Sequence, residues 1–77
     1  MPTIFIDGYK FRFYSSDRHE PPHMHVIKDD CVAKIWLHPI ELEYNRRYNQ
    51  TELNRIIKIT RENQTRLLET WHEYFAR

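Results

Sequence analysis

Residues 23–37 read HMHVIKDDCVAKIWL, and this stretch decides the fold. Apolar and polar residues alternate on both sides of Asp29-Asp30, which is the period of a β-strand. Because Asp tolerates the left-handed backbone of a tight turn, the pattern predicts a hairpin of strands His23–Lys28 and Cys31–Leu37. A two-residue loop sets the register, and the predicted facing pairs are Val26 with Ala33, Met24 with Ile35, His25 with Lys34, and His23 with Trp36.

A first hairpin is predicted upstream of this one. The β-rich runs Thr3–Ile6 and Tyr9–Ser15 flank Asp7-Gly8, a dipeptide typical of two-residue hairpin turns. Residues 16–22 end in two prolines and are predicted to form a loop. The predicted core face of the two hairpins consists of Ile4, Ile6, Phe11, Phe13, Met24, Val26, Ala33, Ile35 and Leu37.

The C-terminal third predicts one long amphipathic helix over residues 50–76. Asn49 is in the N-cap position, with Glu52 three residues later as in a capping box. Mostly apolar residues, with Thr60 and Gln64 among them, then recur at spacings of three and four, which is typical of one buried helix face. They are Leu53, Ile56, Ile57, Thr60, Gln64, Leu67, Leu68, Trp71, Tyr74 and Phe75.

These elements predict an α+β fold, in which a small antiparallel sheet of two N-terminal hairpins, about four strands, is packed on one face by the long helix. With 77 residues we expect one domain, residues 1–77. The polar segment 40–48 has no clear assignment, and a short strand and a turn at residues 41–44 are the two alternatives. The helix would be about 40 Å long at 1.5 Å per residue, more than a small sheet covers. We therefore expect a break near Asn63 or a homodimer through Trp71 and Phe75.

Composition narrows the classes of function. Lys and Arg number 12 against 11 Asp and Glu, so any basic patch that binds nucleic acid must be local. The single Cys31 excludes an intrachain disulfide and fits a reducing compartment. No apolar run reaches 18 residues, and the first residues do not resemble a secretion signal. We expect a soluble cytoplasmic protein that has no membrane contact.

The sheet face away from the helix, called here the open face, is predicted to carry the chemistry. Its predicted members are Lys10, Arg12, Tyr14, His23, His25, Lys34 and Trp36. Arg46 and Arg47, which lie between Tyr44 and Tyr48, are further candidates for phosphate contact. Because aromatic rings stack on bases and cations bind phosphates, these residues predict binding of RNA or a phosphorylated ligand.

The pair His23 and His25 suggests acid–base catalysis. Residues at i and i+2 of a strand project to one side, so both imidazoles can reach one substrate. One hypothesis is a metal-independent ribonuclease without cofactor, with His25 as general base or acid and His23 as its partner. Lys34, with Arg12, would stabilise charge on the phosphate, and Glu20 would complete the catalytic set.

Two other interpretations of the histidines stay open. Glu20, and less surely Asp17, would complete a mononuclear metal site with His23 and His25, although Lys34 opposite His25 would repel a cation. Alternatively, the histidines hydrogen-bond the loop to the sheet and have only a structural role. In that case the open face belongs to a binding module without turnover, either an antitoxin-like partner or a binder of a phosphorylated small molecule.

Several segments of the chain resemble the domain-of-unknown-function 4160 family. They are Pro2-Thr3-Ile4-Phe5, Asp7-Gly8, Phe13-Tyr14-Ser15, Glu20-Pro21-Pro22-His23-Met24-His25-Val26, Ala33-Lys34-Ile35-Trp36-Leu37 and Trp71-His72-Glu73-Tyr74-Phe75. Asp29-Asp30-Cys31 replaces the glycine-containing turn usual in the family. Members occur in bacteria, archaea and phages, often encoded next to another short protein as in toxin–antitoxin pairs. The resemblance implies a cognate protein encoded nearby, and it implies no catalytic residues.

Overall fold

The computed structural model describes residues 2–76 as a five-stranded antiparallel sheet with two helices. The elements are β1 (Thr3–Ile6), β2 (Tyr9–Arg12), a 3-10 turn (Ser15–His19), β3 (His23–Lys28), β4 (Cys31–Leu37), β5 (Ile40–Arg46), α1 (Gln50–Glu62) and α2 (Gln64–Phe75). The strands lie side by side in chain order, so every connection within the sheet is a hairpin or a short loop. The predicted α+β class is confirmed.

Both predicted hairpins form, and the second has the predicted register. Ile6 pairs with Tyr9 across the first turn, where Asp7 and Gly8 have φ of 50° and 84°. Positive φ at both central residues is the conformation that favours Asp-Gly. In the second hairpin Asp29 has φ of 56°, and all four predicted cross-strand pairs are present. The strand after the first turn is shorter than predicted, because it ends at Arg12.

The prediction of about four strands was wrong, because Ile40–Arg46 forms a fifth strand on the outer edge of β4. Most side chains of β5 are exposed. As an edge strand with little burial it lacks the apolar alternation from which strands are predicted. The register shifts between Lys34 and Ile35, which pair with Tyr44 and Leu42. This β-bulge inserts one extra residue into β5, and Tyr44 therefore lies on the open face opposite Lys34.

The prediction of one long helix was also wrong, although the expected break near Asn63 is present. Asn63 has φ −115° and ψ 15°, outside the helical region, and separates α1 from α2. The Gln64 side chain then donates to the Leu37 carbonyl over 2.7 Å, which fixes the start of α2 against the end of β4. At the other end, Asn49 caps α1 as predicted, since its Oδ1 accepts the Glu52 N–H at 2.8 Å.

The core lies between the helices and the sheet face predicted to be buried. Its buried apolar members are Tyr9, Phe11, Phe13, Met24, Val26, Ala33, Ile35, Leu37, Tyr48, Leu53, Ile56, Ile59, Leu67 and Trp71. Trp71 and Phe75 pack on Phe13, with ring centroids 4.8 and 5.4 Å from it. Both rings are therefore engaged within the chain, and the homodimer through them stays a prediction. Within residues 2–76, no helix is both long and apolar enough to cross a membrane.

Candidate functional site

The strand register aligns one row of side chains across the open face. Arg12 pairs with His25, His25 with Lys34, and Lys34 with Tyr44. Paired residues of antiparallel strands point to the same face. The row therefore presents a guanidinium, an imidazole, an ammonium and a phenol side by side on four strands. With strands about 4.8 Å apart, it extends over roughly 14 Å.

A second row lies beside the first. Lys10 pairs with Ile27, Ile27 with Val32, and Val32 with Arg46. Phe5, paired with Lys10, is 70 % exposed, and the Lys10 ammonium lies 5.9 Å from the centre of its ring. From β2 to β5 this row thus has a cation at each end, Lys10 and Arg46, and Phe5 on β1 lies beside Lys10.

The 3-10 turn brings Asp17 to the two histidines. The backbone N–H of Tyr14 donates to Asp17 Oδ2 over 2.9 Å, and the Asp17 N–H donates to the Tyr14 carbonyl over the same distance. This reciprocal pairing fixes the carboxylate. Asp17 Oδ2 then lies 3.1 Å from Nε2 of His23 and 3.7 Å from Nε2 of His25. We call these three residues the Asp–His–His cluster.

The imidazole of His23 is held in one tautomer. Its Nδ1 is 2.9 Å from the Pro21 carbonyl oxygen, which can only accept, so Nδ1 carries the proton. Nε2, the other ring nitrogen, faces Asp17. The 3.1 Å approach lacks the alignment of a hydrogen bond, and within residues 2–76 neither His23 Nε2 nor His25 Nε2 has a hydrogen-bond partner. The interpretation in which the histidines have a structural role is confirmed in part, because the hydrogen bond from His23 Nδ1 to the Pro21 carbonyl links the loop to the sheet.

The prediction that His23 lies accessible on the open face was wrong, because its side chain is completely buried. His23 is the first residue of β3, at the end of the sheet where the 3-10 turn and α2 meet. Its ring contacts Trp36 and Trp71, with centroids 5.4 and 5.0 Å away. A substrate on the open face does not reach it.

His25 is more accessible but still largely enclosed. Its side chain is 14 % exposed, and the Tyr14 ring lies 5.1 Å away. Burial lowers the pKa of His25, because it disfavours the imidazolium. His23 and Lys34 lower this pKa further, and Asp17 opposes them. His25 therefore loses its proton more readily than a free imidazole.

Glu20 does not join the histidines, so the four predicted catalytic residues do not converge. The Lys34 ammonium donates to Glu20 Oε1 over 2.6 Å and lies 4.8 Å from the centre of the Trp36 ring. Lys34 and Glu20 form one unit, and the histidines form another with Asp17. The sequence favours Glu20 as the nearer carboxylate because residues 16–22 are predicted to form a loop, whereas residues 15–19 form a 3-10 turn.

The predicted substrate-binding residues separate into two groups. Arg46 lies on β5 and faces the open side of the sheet, whereas Arg47 follows β5 with φ of 75° and forms an ion pair with Asp30. A phosphate contact by Arg47 stays a prediction. Arg12 is positioned by a hydrogen bond from its Nε to Thr3 Oγ1 at 3.1 Å.

A surface pocket of about 250 Å³ lies at the other end of β3. Among its lining residues are Lys28, Cys31, Tyr48 and Glu52. The Glu52 carboxylate accepts a hydrogen bond from Tyr9, and the Tyr48 hydroxyl donates to the Val26 carbonyl over 2.9 Å. Burial raises the pKa of both Tyr9 and Tyr48. These polar groups are engaged in packing, and the pocket is separate from the Asp–His–His cluster.

Fold and site together define an α+β protein with one sheet face against two helices and one polar, partly aromatic face beside a buried Asp–His–His cluster. Residues 8–72 match the family described as Domain of unknown function (DUF4160). The chain belongs to this family, as its motifs predicted. No curated protein and no solved structure matches it.

Proposed function

We propose that the protein binds single-stranded RNA on the open face of its sheet. The composition of this face carries the proposal. Its strand positions hold four cationic side chains, of which Lys34 is already paired with Glu20, and three aromatic ones, namely Lys10, Arg12, Lys34, Arg46, Phe5, Trp36 and Tyr44. Within the described strands, Glu41 is the one acidic residue whose pairing puts it on this face.

This composition matches what an RNA strand presents. Phosphates attract cations, and unstacked bases stack on aromatic rings whatever their identity. Phe5 and Tyr44 are 70 % and 43 % exposed, so they offer ring surface to a base. The formal net charge of the chain is only +1, so the attraction comes from local arrangement.

The geometry favours binding over cleavage by the histidine pair. A general base must come within hydrogen-bonding distance of the ribose hydroxyl from which it takes the proton. Nε2 of His23 and Nε2 of His25 are buried and directed at Asp17. The length of the row from Arg12 to Tyr44 also favours a strand of RNA over a single phosphorylated small molecule.

The experiment is a fluorescence anisotropy titration of a labelled RNA of about 12 nucleotides, a length within the usual range of such sites. It is carried out in chelator, and the RNA is run afterwards on a denaturing gel. We expect saturable binding, weakened about tenfold by Tyr44→Ala, because one stacked base is worth about 1–3 kcal/mol. Arg46→Ala should also weaken it.

Matched controls lie on the helices. Arg55→Ala and Arg66→Ala remove exposed cations away from the open face and should leave the affinity unchanged. The proposal would be contradicted if the helix variants lost as much RNA affinity as the open-face variants Tyr44→Ala and Arg46→Ala. It would also be contradicted if the wild type did not bind RNA. Competition by a mononucleotide as strong as by RNA would instead indicate a small-molecule site. Intact RNA on the gel would exclude metal-independent cleavage, whereas products ending in a cyclic phosphate would support the ribonuclease hypothesis.

The toxin–antitoxin setting is a separate part of the proposal and rests on the family resemblance. A cognate protein encoded nearby would be tested by co-expression and co-purification. The protein that induces growth arrest would be assigned as the toxin, and the protein that relieves the arrest would be assigned as the antitoxin.

A further inference from the structure

The geometry points to a divalent transition-metal site at Asp17, His23 and His25, of the kind that takes Zn²⁺ or Fe²⁺. Two imidazole nitrogens and one carboxylate oxygen are a common ligand set for these ions. The site is independent of the proposed RNA binding, which uses other side chains of the open face.

The spacing of the three ligand atoms fits one ion. Zinc binds imidazole nitrogen and carboxylate oxygen at about 2.0–2.2 Å in tetrahedral geometry, which separates neighbouring ligand atoms by roughly 3.3 Å. Asp17 Oδ2 is 3.1 Å from His23 Nε2 and 3.7 Å from His25 Nε2, and the three atoms lie within 4.8 Å of one another. The two distances from Asp17 thus differ from the tetrahedral separation by no more than about 0.4 Å, and the two histidine nitrogens, at most 4.8 Å apart, would move closer by up to about 1.5 Å when they bind one ion.

The surroundings of His23 are those of a metal ligand. A ligating histidine usually donates its other ring N–H to a carbonyl or carboxylate, which fixes the tautomer and aims the lone pair. Here Nδ1 bonds the Pro21 carbonyl, and Nε2 is buried without a hydrogen-bond partner in residues 2–76. An unsatisfied buried nitrogen is costly, and a metal ion would satisfy it.

A proton shared by His23 and Asp17 is the competing explanation. One proton between these two groups leaves Nε2 of His25 still unpaired and buried. A metal ion serves both imidazoles and the carboxylate at once. The two explanations differ in whether His25 takes part, so a variant of His25 distinguishes them.

The charge of Lys34 does not exclude a cation here. Its ammonium is 2.6 Å from the Glu20 carboxylate, which compensates much of the repulsion expected from its pairing with His25. Glu20 thus supports the site through Lys34 without being a ligand.

The site is also accessible from one side. The side chains of Asp17 and His25 are 12 % and 14 % exposed, whereas His23 is fully buried. Three protein ligands leave a fourth tetrahedral position to water, as in zinc sites that are not purely structural.

The test uses the full chain, stripped with a chelator and dialysed, and titrated with Zn²⁺ by calorimetry and with Co²⁺ by visible absorption. We expect one ion per chain and the visible bands of cobalt bound to nitrogen and oxygen ligands. Asp17→Asn and His25→Gln should each weaken binding at least tenfold. Asn can still accept the Tyr14 N–H, so Asp17→Asn should keep the turn, and circular dichroism checks this.

His38→Gln is the matched control and should retain wild-type affinity within about twofold, since His38 does not belong to the cluster. Glu20→Gln should weaken binding less than Asp17→Asn does, because Glu20 acts on the site only through Lys34. The absence of saturable binding at one ion per chain would overturn the inference. Equal affinity in wild type and His25→Gln would also overturn it, as would a loss in Glu20→Gln as large as in Asp17→Asn. Because RNA binding is measured in chelator, either proposal can fail while the other stands.

Discussion

Oδ2 of Asp17 lies 3.1 Å from Nε2 of the completely buried His23. The contact joins the 3-10 turn to the first residue of β3, across the two prolines between them. It links a loop that is polar in sequence to the enclosed end of the sheet, where Trp36 and Trp71 flank the imidazole. His23 is therefore expected to matter for stability whether or not the cluster binds a metal.

The first prediction concerns His23→Ala. Removing a fully buried ring leaves a cavity between two tryptophans and an unpaired Pro21 carbonyl, so the free energy of unfolding should fall by about 3 kcal/mol. Chemical denaturation in chelator measures it. His19→Ala, a change at an exposed histidine in the same segment, should alter it by less than about 0.5 kcal/mol. A loss that small in His23→Ala would contradict the observed burial.

The pH dependence of stability should report His25. Burial holds its folded pKa below the ordinary value of 6.5, so the unfolded chain binds more protons than the folded chain just below that pH. Stability then rises with pH across this window and is lost as the pH falls below about 6.5. Urea denaturation in chelator between about pH 5 and 7.5 should show this slope in the wild type and a smaller slope in His25→Gln. Parallel slopes would show that His25 does not contribute.

The cap of α1 offers a prediction on the fold alone. Asn49 Oδ1 accepts the Glu52 N–H, so Asn49→Ala should cost about 1 kcal/mol of unfolding free energy. Asn54→Ala, an exposed change inside the same helix, is the control and should cost less. No difference between the two variants would show that the cap does not stabilise α1.

The two hairpins could be predicted because local chemistry determines them. Asp7-Gly8 and Asp29-Asp30 fix the turns, and alternation then fixes which side chains share a face. The same logic correctly paired His25 with Lys34 across the strands. It could not decide between a short strand and a turn at residues 41–44, because an exposed edge strand such as Ile40–Arg46 gains little from burial and carries no apolar alternation.

The candidate site was only half predictable for a related reason. That His23 and His25 lie close together followed from their spacing, but the choice of Asp17 over Glu20 depends on a 3-10 turn stabilised by its own backbone contacts. The burial of His23 depends on Trp71, 48 positions later in the chain. Neither long-range packing nor the β-bulge that turns Tyr44 to the open face can be inferred from the local pattern.

Salt should weaken the proposed RNA binding. For single strands, log K falls by about 0.7 per neutralised phosphate for each unit of log salt. The wild-type slope should therefore be steeper than the slope of Arg46→Ala by roughly that amount. Tyr44→Ala should lose affinity without changing the slope, because a phenol ring releases no counterions. Anisotropy titrations at several salt concentrations measure both, and equal slopes in the wild type and Arg46→Ala would count against a phosphate contact.

The most direct test of binding on the open face is an NMR titration of the labelled protein with single-stranded RNA in chelator. The account predicts that the largest shift changes cluster at Lys10, Arg12, Lys34, Tyr44 and Arg46, while the exposed positions of α1 and α2 stay unperturbed. Changes concentrated on the helices, or no changes at saturating RNA, would contradict it.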